Sequence, residues 1–298
     1  MTTPPVTLPA HKDLAWGGIA FSVPAGWEPR RVAFDHLLLE SGGAPAMEIK
    51  WGSGGGHPLR RLARRVRREG GVFRERPLPA DWQAALPGRE GPAFEWEAAG
   101  RRAIGACVRC RECGTVSLVQ FFGGKAGFEQ GPRTVRVLAS LSDHRRDGRV
   151  RWQLFDISAE LPTGFRLAAS RFHPGRFVLS FRRGRAALTL WRFAPAGALL
   201  QGTTIDDFAR TALGAAGLDF APATVNGFAG AAATERPAGA AARLVARLGL
   251  FRQRAVRVWL VPAANRILAA ELQAPPRGLG TELDAICRDY GVDAPISA

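Results

Sequence analysis

Two stretches, IAFSVPAGW (19–27) and ISAELPTGF (157–165), decide how this chain is built. They share Ile, an aliphatic–Pro pair, Gly and a closing aromatic at the same spacing. Proline lacks a backbone donor and suits a strand end or edge, which is where Pro24 and Pro162 are expected. Gly26 and Gly164 allow the turn that presents Trp27 or Phe165. The agreement continues downstream. HLLLESGGAPAMEIKW (36–51) and RFVLSFRRGRAALTLW (176–191) have equal length, and each reads as strand, Gly-containing turn and second strand, ending on Trp51 or Trp191. One unit is written twice.

A helix follows in each copy. In PLRRLARRVRRE the apolar Leu59, Leu62, Ala63 and Val66 recur at i, i+3, i+4 and i+7, one helical face, with Pro58 suited to the first position. TIDDFARTALGAAG offers Thr203 or Thr204 as cap, Asp206 and Asp207 in the first turn, and an apolar face of Ile205, Phe208, Ala212 and Leu213. Strands are expected at 93–98, 103–109 and 115–122, and again at 227–234, 254–261 and 266–274. Each copy closes on a helix, PRTVRVLASLSD in the first and LGTELDAICRDYG in the second, the latter with Leu279, Leu283, Ile286 and Tyr290 on one face. The polar SDHRRDGR (142–149) separates domains expected at 13–144 and 150–294. The second carries an extra amphipathic helical segment, 238–253.

This order of elements, with Pro24, Gly26, Trp27, Trp51, Pro162, Gly164, Phe165 and Trp191 in place, resembles the PsbP-like proteins, which include the photosystem extrinsic protein PsbP and the Ran-binding Mog proteins. The resemblance implies an α+β chain: two tandem α/β/α sandwich domains, each an antiparallel sheet flanked by helices. It also implies a non-catalytic protein-binding module.

The 298 residues carry a formal charge of +15, which draws nucleic acid, anionic surfaces or acidic proteins. Lysine occurs only at Lys12, Lys50 and Lys125, so arginine supplies the charge, and compositional bias explains it as readily as function does. No apolar run approaches a membrane span. MTTPPVTLPAHK lacks the basic-then-apolar pattern of a secretory signal, and four cysteines are too few for a disulfide framework. The expected location is the cytoplasm.

ACVRCRECGTVSL puts Cys107, Cys110 and Cys113 at three-residue intervals. CRECG has the C-x-x-C-G form of a zinc knuckle, but structural zinc takes four ligands and no second C-x-x-C exists. Cys287 lies in the other domain, and His36, His57, His144 and His173 show no paired spacing. Metal site, redox pair and inert hairpin all stand, with no cofactor as the default and zinc as the candidate if one binds. GSGGGHPL (52–59) is not a phosphate loop, because His57 and Pro58 stand where Lys and Ser/Thr are needed. Glu95 and Glu97 fall on the solvated side of their strand. No nucleophile–base motif appears.

The most distinctive surface is the helix over 59–68, where Arg60, Arg61, Arg64, Arg65, Arg67 and Arg68 fill the non-apolar positions. Guanidinium groups can grip phosphate or carboxylate bidentately. The expectation is a non-enzymatic adaptor or chaperone-like protein whose arginine helix steers an acidic or hydrophobic segment of a protein partner. Nucleic-acid binding through the same helix, and metal or redox chemistry at the three cysteines, are the alternatives.

Overall fold

The computed structural model describes residues 10–53, 57–123, 131–144, 147–235 and 252–293. The chain divides into two compact units. The first runs to Asp147 and takes in Gln153–Phe155; the second takes Gly148–Trp152 and the chain from Asp156 onward. The division falls inside the polar 142–149 stretch.

The first unit begins with the hairpin β1 (His11–Trp16) and β2 (Ile19–Pro24). Its large sheet is built from β3 (Glu28–Ala33), β4 (His36–Ser41), β5 (Ala44–Ser53), β6 (Val72–Arg76), β7 (Arg89–Glu90), β8 (Ala93–Ala98), β9 (Arg101–Cys110) and β10 (Thr115–Gly123). The strand order is β3-β4-β5-β10-β9-β8-β6, all antiparallel, with β7 paired to β9. The helices are α1 (Pro58–Arg68), α2 (Ala80–Ala85) and α3 (Pro132–Ala139).

The second unit has β11 (Arg149–Leu154) and β12 (Ile157–Pro162), then β13 (Arg166–His173), β14 (Arg176–Arg183), β15 (Ala186–Phe193), β16 (Ala221–Val225), β17 (Phe228–Thr234), β18 (Gln253–Val261), β19 (Arg266–Ala274) and β20 (Tyr290–Val292). Its large sheet runs β13-β14-β15-β19-β18-β17-β16. That is the first sheet's order again. Its helices are α4 (Ala196–Leu199), α5 (Ile205–Ala212) and α6 (Leu279–Arg288).

The α+β architecture of helix-flanked α/β/α sandwiches, expected above, does not form. Strands take 53% of the structure and helices 20%, so the protein is mostly β. The reason is dimensional. Seven strands span about 34 Å, whereas α1, the longest helix described at 11 residues, is about 16 Å long and covers a patch rather than a layer. Tyr290 is likewise not on the last helix. It is buried on β20, and its hydroxyl donates to Trp191 O at 2.9 Å. The expected 238–253 helix lies outside the described residues, except for its last two positions.

Pro24 and Pro162 do end their strands. Trp27 N–H donates to Pro24 O at 2.9 Å and Phe165 N–H to Pro162 O at 3.4 Å, and both aromatics are buried. The two tryptophans that close the long hairpins are not equivalent. A bulge at Ala46 puts one extra residue into β5, because Leu39 faces Met47 while Glu40 faces Pro45; β14 and β15 pair without a shift. A one-residue slip sends a side chain to the opposite face. Trp51 therefore faces away from α1 and donates to Gly17 O at 3.1 Å, while Trp191 packs against the core under α5.

Candidate functional site

α1 forms because its apolar stripe has a sheet to cover. Leu59, Leu62 and Val66 pack on Phe94, Trp96, Ala98, Ala103 and Leu118. Its polar positions favour helix by propensity, and Arg65, Arg67 and Arg68 suit the negative end of the dipole, but the first turn is charged the wrong way. Arg60, Arg61, Arg64, Arg65, Arg67 and Arg68 are all exposed, the first turn holds no acidic residue, and no side chain caps the N-terminus. Two cations at the positive end of the helix dipole, and like charges at i,i+3 and i,i+4, each oppose the helix by a few tenths of a kcal/mol. Among the described residues, none of these six guanidinium groups forms an ion pair.

The structure brings three of the six together. Arg61, Arg65 and Arg68 line a cleft of about 510 Å³ between α1 and strands β5 and β10. Lys50 joins them, and Leu62, Val116 and Leu118 supply apolar lining. Arg60 turns to the other flank of the helix, into a smaller cleft of about 340 Å³.

A buried carboxylate stands on the α1-facing side of the sheet. Glu48 lies 2.7 Å from His36 Nε2 and 2.9 Å from Lys50 Nζ, and it accepts from Gln120 Nε2. Gln120 in turn accepts from Trp96 Nε1 at 2.9 Å. Burial pushes the Glu48 carboxyl up, but the hydrogen bonds and charges of His36 and Lys50 outweigh it and hold it at about 2. This pairs Lys50 with Glu48; Asp35 also lines the cleft, and the α1 arginines there form no ion pair among the described residues. Sequence reading missed Glu48; its only signal was a carboxylate inside an otherwise apolar strand.

The three cysteines part company. Strand alternation puts Cys107 and Cys110 on opposite faces. Cys107 sits under α1, beside Leu59 in the smaller cleft, where burial pushes its thiol up to about 11. It is therefore removed from the expected metal set, and Cys287 lies buried in α6 of the second unit.

Cys110 and Cys113 stay together and meet two residues the sequence had not joined to them, Asp143 and His144. One ligand atom from each of the four lies within 4.8 Å of the others. His144 Nδ1 is 3.8 Å from Cys110 Sγ and 2.8 Å from Asp143 Oδ1. The bridge between Ala20 and Ser142, with N–H to O distances of 2.7 and 2.8 Å, delivers the 142–144 segment to the β9–β10 turn. For Cys110, burial raises the thiol and outweighs the Cys113 and Glu112 N–H groups that point at the sulfur. For Cys113, burial raises it too, but hydrogen bonds from the Thr115 hydroxyl and N–H and from Cys110 prevail and lower it. His144 is raised: burial opposes its charged form, and Asp143, Cys113 and Glu112 overcome that.

No protein-family model and no curated protein matches the chain. A solved structure of the Pseudomonas aeruginosa MucA/MucB complex is similar over 95% of this chain and 87% of that one, at 13% identity. Its TM-score of 0.24 is too low to carry a statement about fold or function. No helix among the described residues is long and apolar enough to cross a membrane.

Proposed function

We propose that the protein is a non-enzymatic binding protein whose first unit receives an acidic segment of a protein partner in the cleft beside α1. One observation carries this reading. Arg61, Arg65 and Arg68 are exposed, have no carboxylate partner among the described residues, and line a cleft that also presents Leu62, Val116 and Leu118. Carboxylates meet the guanidinium groups at the rim, and short apolar side chains meet Leu62, Val116 and Leu118 below. Kinship with the PsbP-like proteins belongs to the proposal and rests on the repeated turn residues, not on layering. A cytoplasmic location belongs to it too, since four free thiols suit a reducing compartment.

Nucleic acid is the competing occupant, favoured by the net charge of +15. Single-strand platforms add exposed aromatics on which bases stack. Among the described residues the large exposed apolar side chains are Phe34, Val72 and Leu199, none of them on α1 or lining this cleft. The acidic segment is therefore the better fit.

Fluorescence anisotropy with a labelled Glu/Leu peptide and a labelled single-stranded oligonucleotide separates the two. The peptide is expected to bind, with affinity reduced at least tenfold by Arg61→Glu with Arg65→Glu. Tighter oligonucleotide binding with a steep salt dependence replaces the proposal with the nucleic-acid reading. Binding of neither probe at low salt removes both.

A further inference from the structure

The geometry points to a structural zinc site formed by Cys110, Cys113, Asp143 and His144, which pins the end of the first unit to the β9–β10 turn. It is independent of the cleft beside α1.

The donor set is that of a four-coordinate zinc: two thiolates, one imidazole and one carboxylate. Zn–S and Zn–N bonds of about 2.3 and 2.0 Å at a tetrahedral angle place S and N about 3.5 Å apart. Cys110 Sγ and His144 Nδ1 stand 3.8 Å apart, so little movement closes the shell.

The turn is already shaped for it. Glu112 and Cys113 direct their N–H groups at Cys110 Sγ. Gly114 donates its N–H to Cys110 O at 3.0 Å and takes φ +72°, the left-handed geometry that swings Cys113 back beside Cys110. The surrounding contacts fit as well. His144 Nδ1 lies 2.8 Å from Asp143 Oδ1 and 3.8 Å from Cys110 Sγ, and Nε2 lies 2.8 Å from Glu112 Oε2, the outer partner of a carboxylate–histidine–metal pattern. Asp143 Oδ1 lies 3.0 Å from Arg89 Nη2. Its other oxygen, Oδ2, is buried without a hydrogen-bond partner among the described residues, although the side chain is only 1% exposed. A buried carboxylate oxygen left unpaired is costly. Two thiolates, one carboxylate and Zn²⁺ sum to −1, which Arg89 offsets.

The second unit shows that the fold does not need these four residues. Its β18–β19 turn has the same length, and Asn265 takes the left-handed place of Gly114 at φ +53°. Val261 and Ala264 stand where Cys110 and Cys113 do. Gly291 pairs with Ser158 as Ser142 pairs with Ala20, which puts Val292 and Asp293 in place of Asp143 and His144. The turn and the bridge persist without the ligands, so the ligands serve something other than the turn.

The test is cobalt and zinc titration of the full chain, prepared metal-free and kept reduced. Co²⁺ is expected to saturate at one equivalent, with thiolate charge-transfer absorption and the visible bands of a tetrahedral site, and Zn²⁺ is expected to displace it. Zinc is also expected to protect exposed Cys113 from alkylation. Cys113→Ser and His144→Ala should abolish the tetrahedral spectrum. Glu112→Gln should weaken affinity by about 10- to 100-fold. Cys107→Ser should change nothing. The proposal is overturned by the absence of a cobalt spectrum at one equivalent, by a spectrum that survives Cys113→Ser, or by one that depends on Cys107. A Cys110–Cys113 disulfide that persists in reductant overturns it too.

Discussion

α1 and α5 occupy corresponding places on two sheets of the same strand order, yet they are charged in opposite ways. α5 follows the rules for a surface helix. Thr204 accepts from Asp207 N–H at 3.3 Å, Asp206 and Asp207 sit at the positive end of the dipole, and Arg210 bonds both, at 2.9 and 2.8 Å. α1 has no cap, no acid and six arginines without an ion pair among the described residues. The sheet beneath accepts either helix, so the fold imposes apolar stripes and leaves the outer charge free. What the fold does not require is where function has room to act.

The largest effect expected from breaking the comparison lies in the shared stripe. Phe208 meets Phe193 edge to face at 5.1 Å, and Phe208→Ala should cost about 3–5 kcal/mol. Leu62→Ala in α1 should cost about 2–5 kcal/mol. Urea denaturation measures both, and a loss confined to one of the two helices would end the claim of equivalence.

Each unit also buries a carboxylate on the helix-facing side of its sheet. Glu271, bonded by Arg254 Nη2 at 2.6 Å and by Gln273 Nε2 at 2.6 Å, stands on β19 where the first unit has Gln120, the β10 partner of Glu48. The folded pKa of Glu48, about 2, is depressed from its ordinary 4.5, so its contribution is complete above about pH 4.5 and vanishes as pH falls through about 2. Two and a half pH units correspond to about 3 kcal/mol. Glu48→Gln should flatten this part of the acid limb in stability measured from pH 7 to 2, and an unchanged limb would refute the assignment.

Smaller effects sharpen the contrast at the helix ends. Thr204→Ala should cost about 1 kcal/mol by thermal unfolding. Arg61→Glu should do the reverse in α1, raising stability by about 0.3–1 kcal/mol while lowering peptide affinity. A variant that loses stability and keeps affinity would argue against a binding role for that arginine.

Much of the strand pattern was legible locally. Apolar runs marked β8, β9, β10, β18 and β19, whose central residues are buried on both faces of their sheets, and the 3.6-residue stripe marked α1. Strands with little burial, such as β3, β13 and β16, left no such trace. The Ala46 bulge was equally silent, and it broke the apparent match of Trp51 with Trp191. At the cysteine cluster the turn was readable in C-x-x-C-G. Its partners were not, because Asp143 and His144 reach it through the Ala20–Ser142 bridge, a tertiary contact, from a segment that read as a linker. The arginine stripe was visible in full, but only the packing of α1 divides it between two clefts.

The outer strands of the large sheets have a consequence of their own. β3 and β6 bound one sheet, β13 and β16 the other. Their sequences, EPRRVA, VFRER, RLAASRFH and APATV, each place proline or arginine along the open border. An unprotected border invites a neighbouring chain to add its own strands, and proline or a dense positive charge refuses that invitation. Part of the arginine surplus therefore lies where positive charge opposes edge-to-edge pairing of sheets.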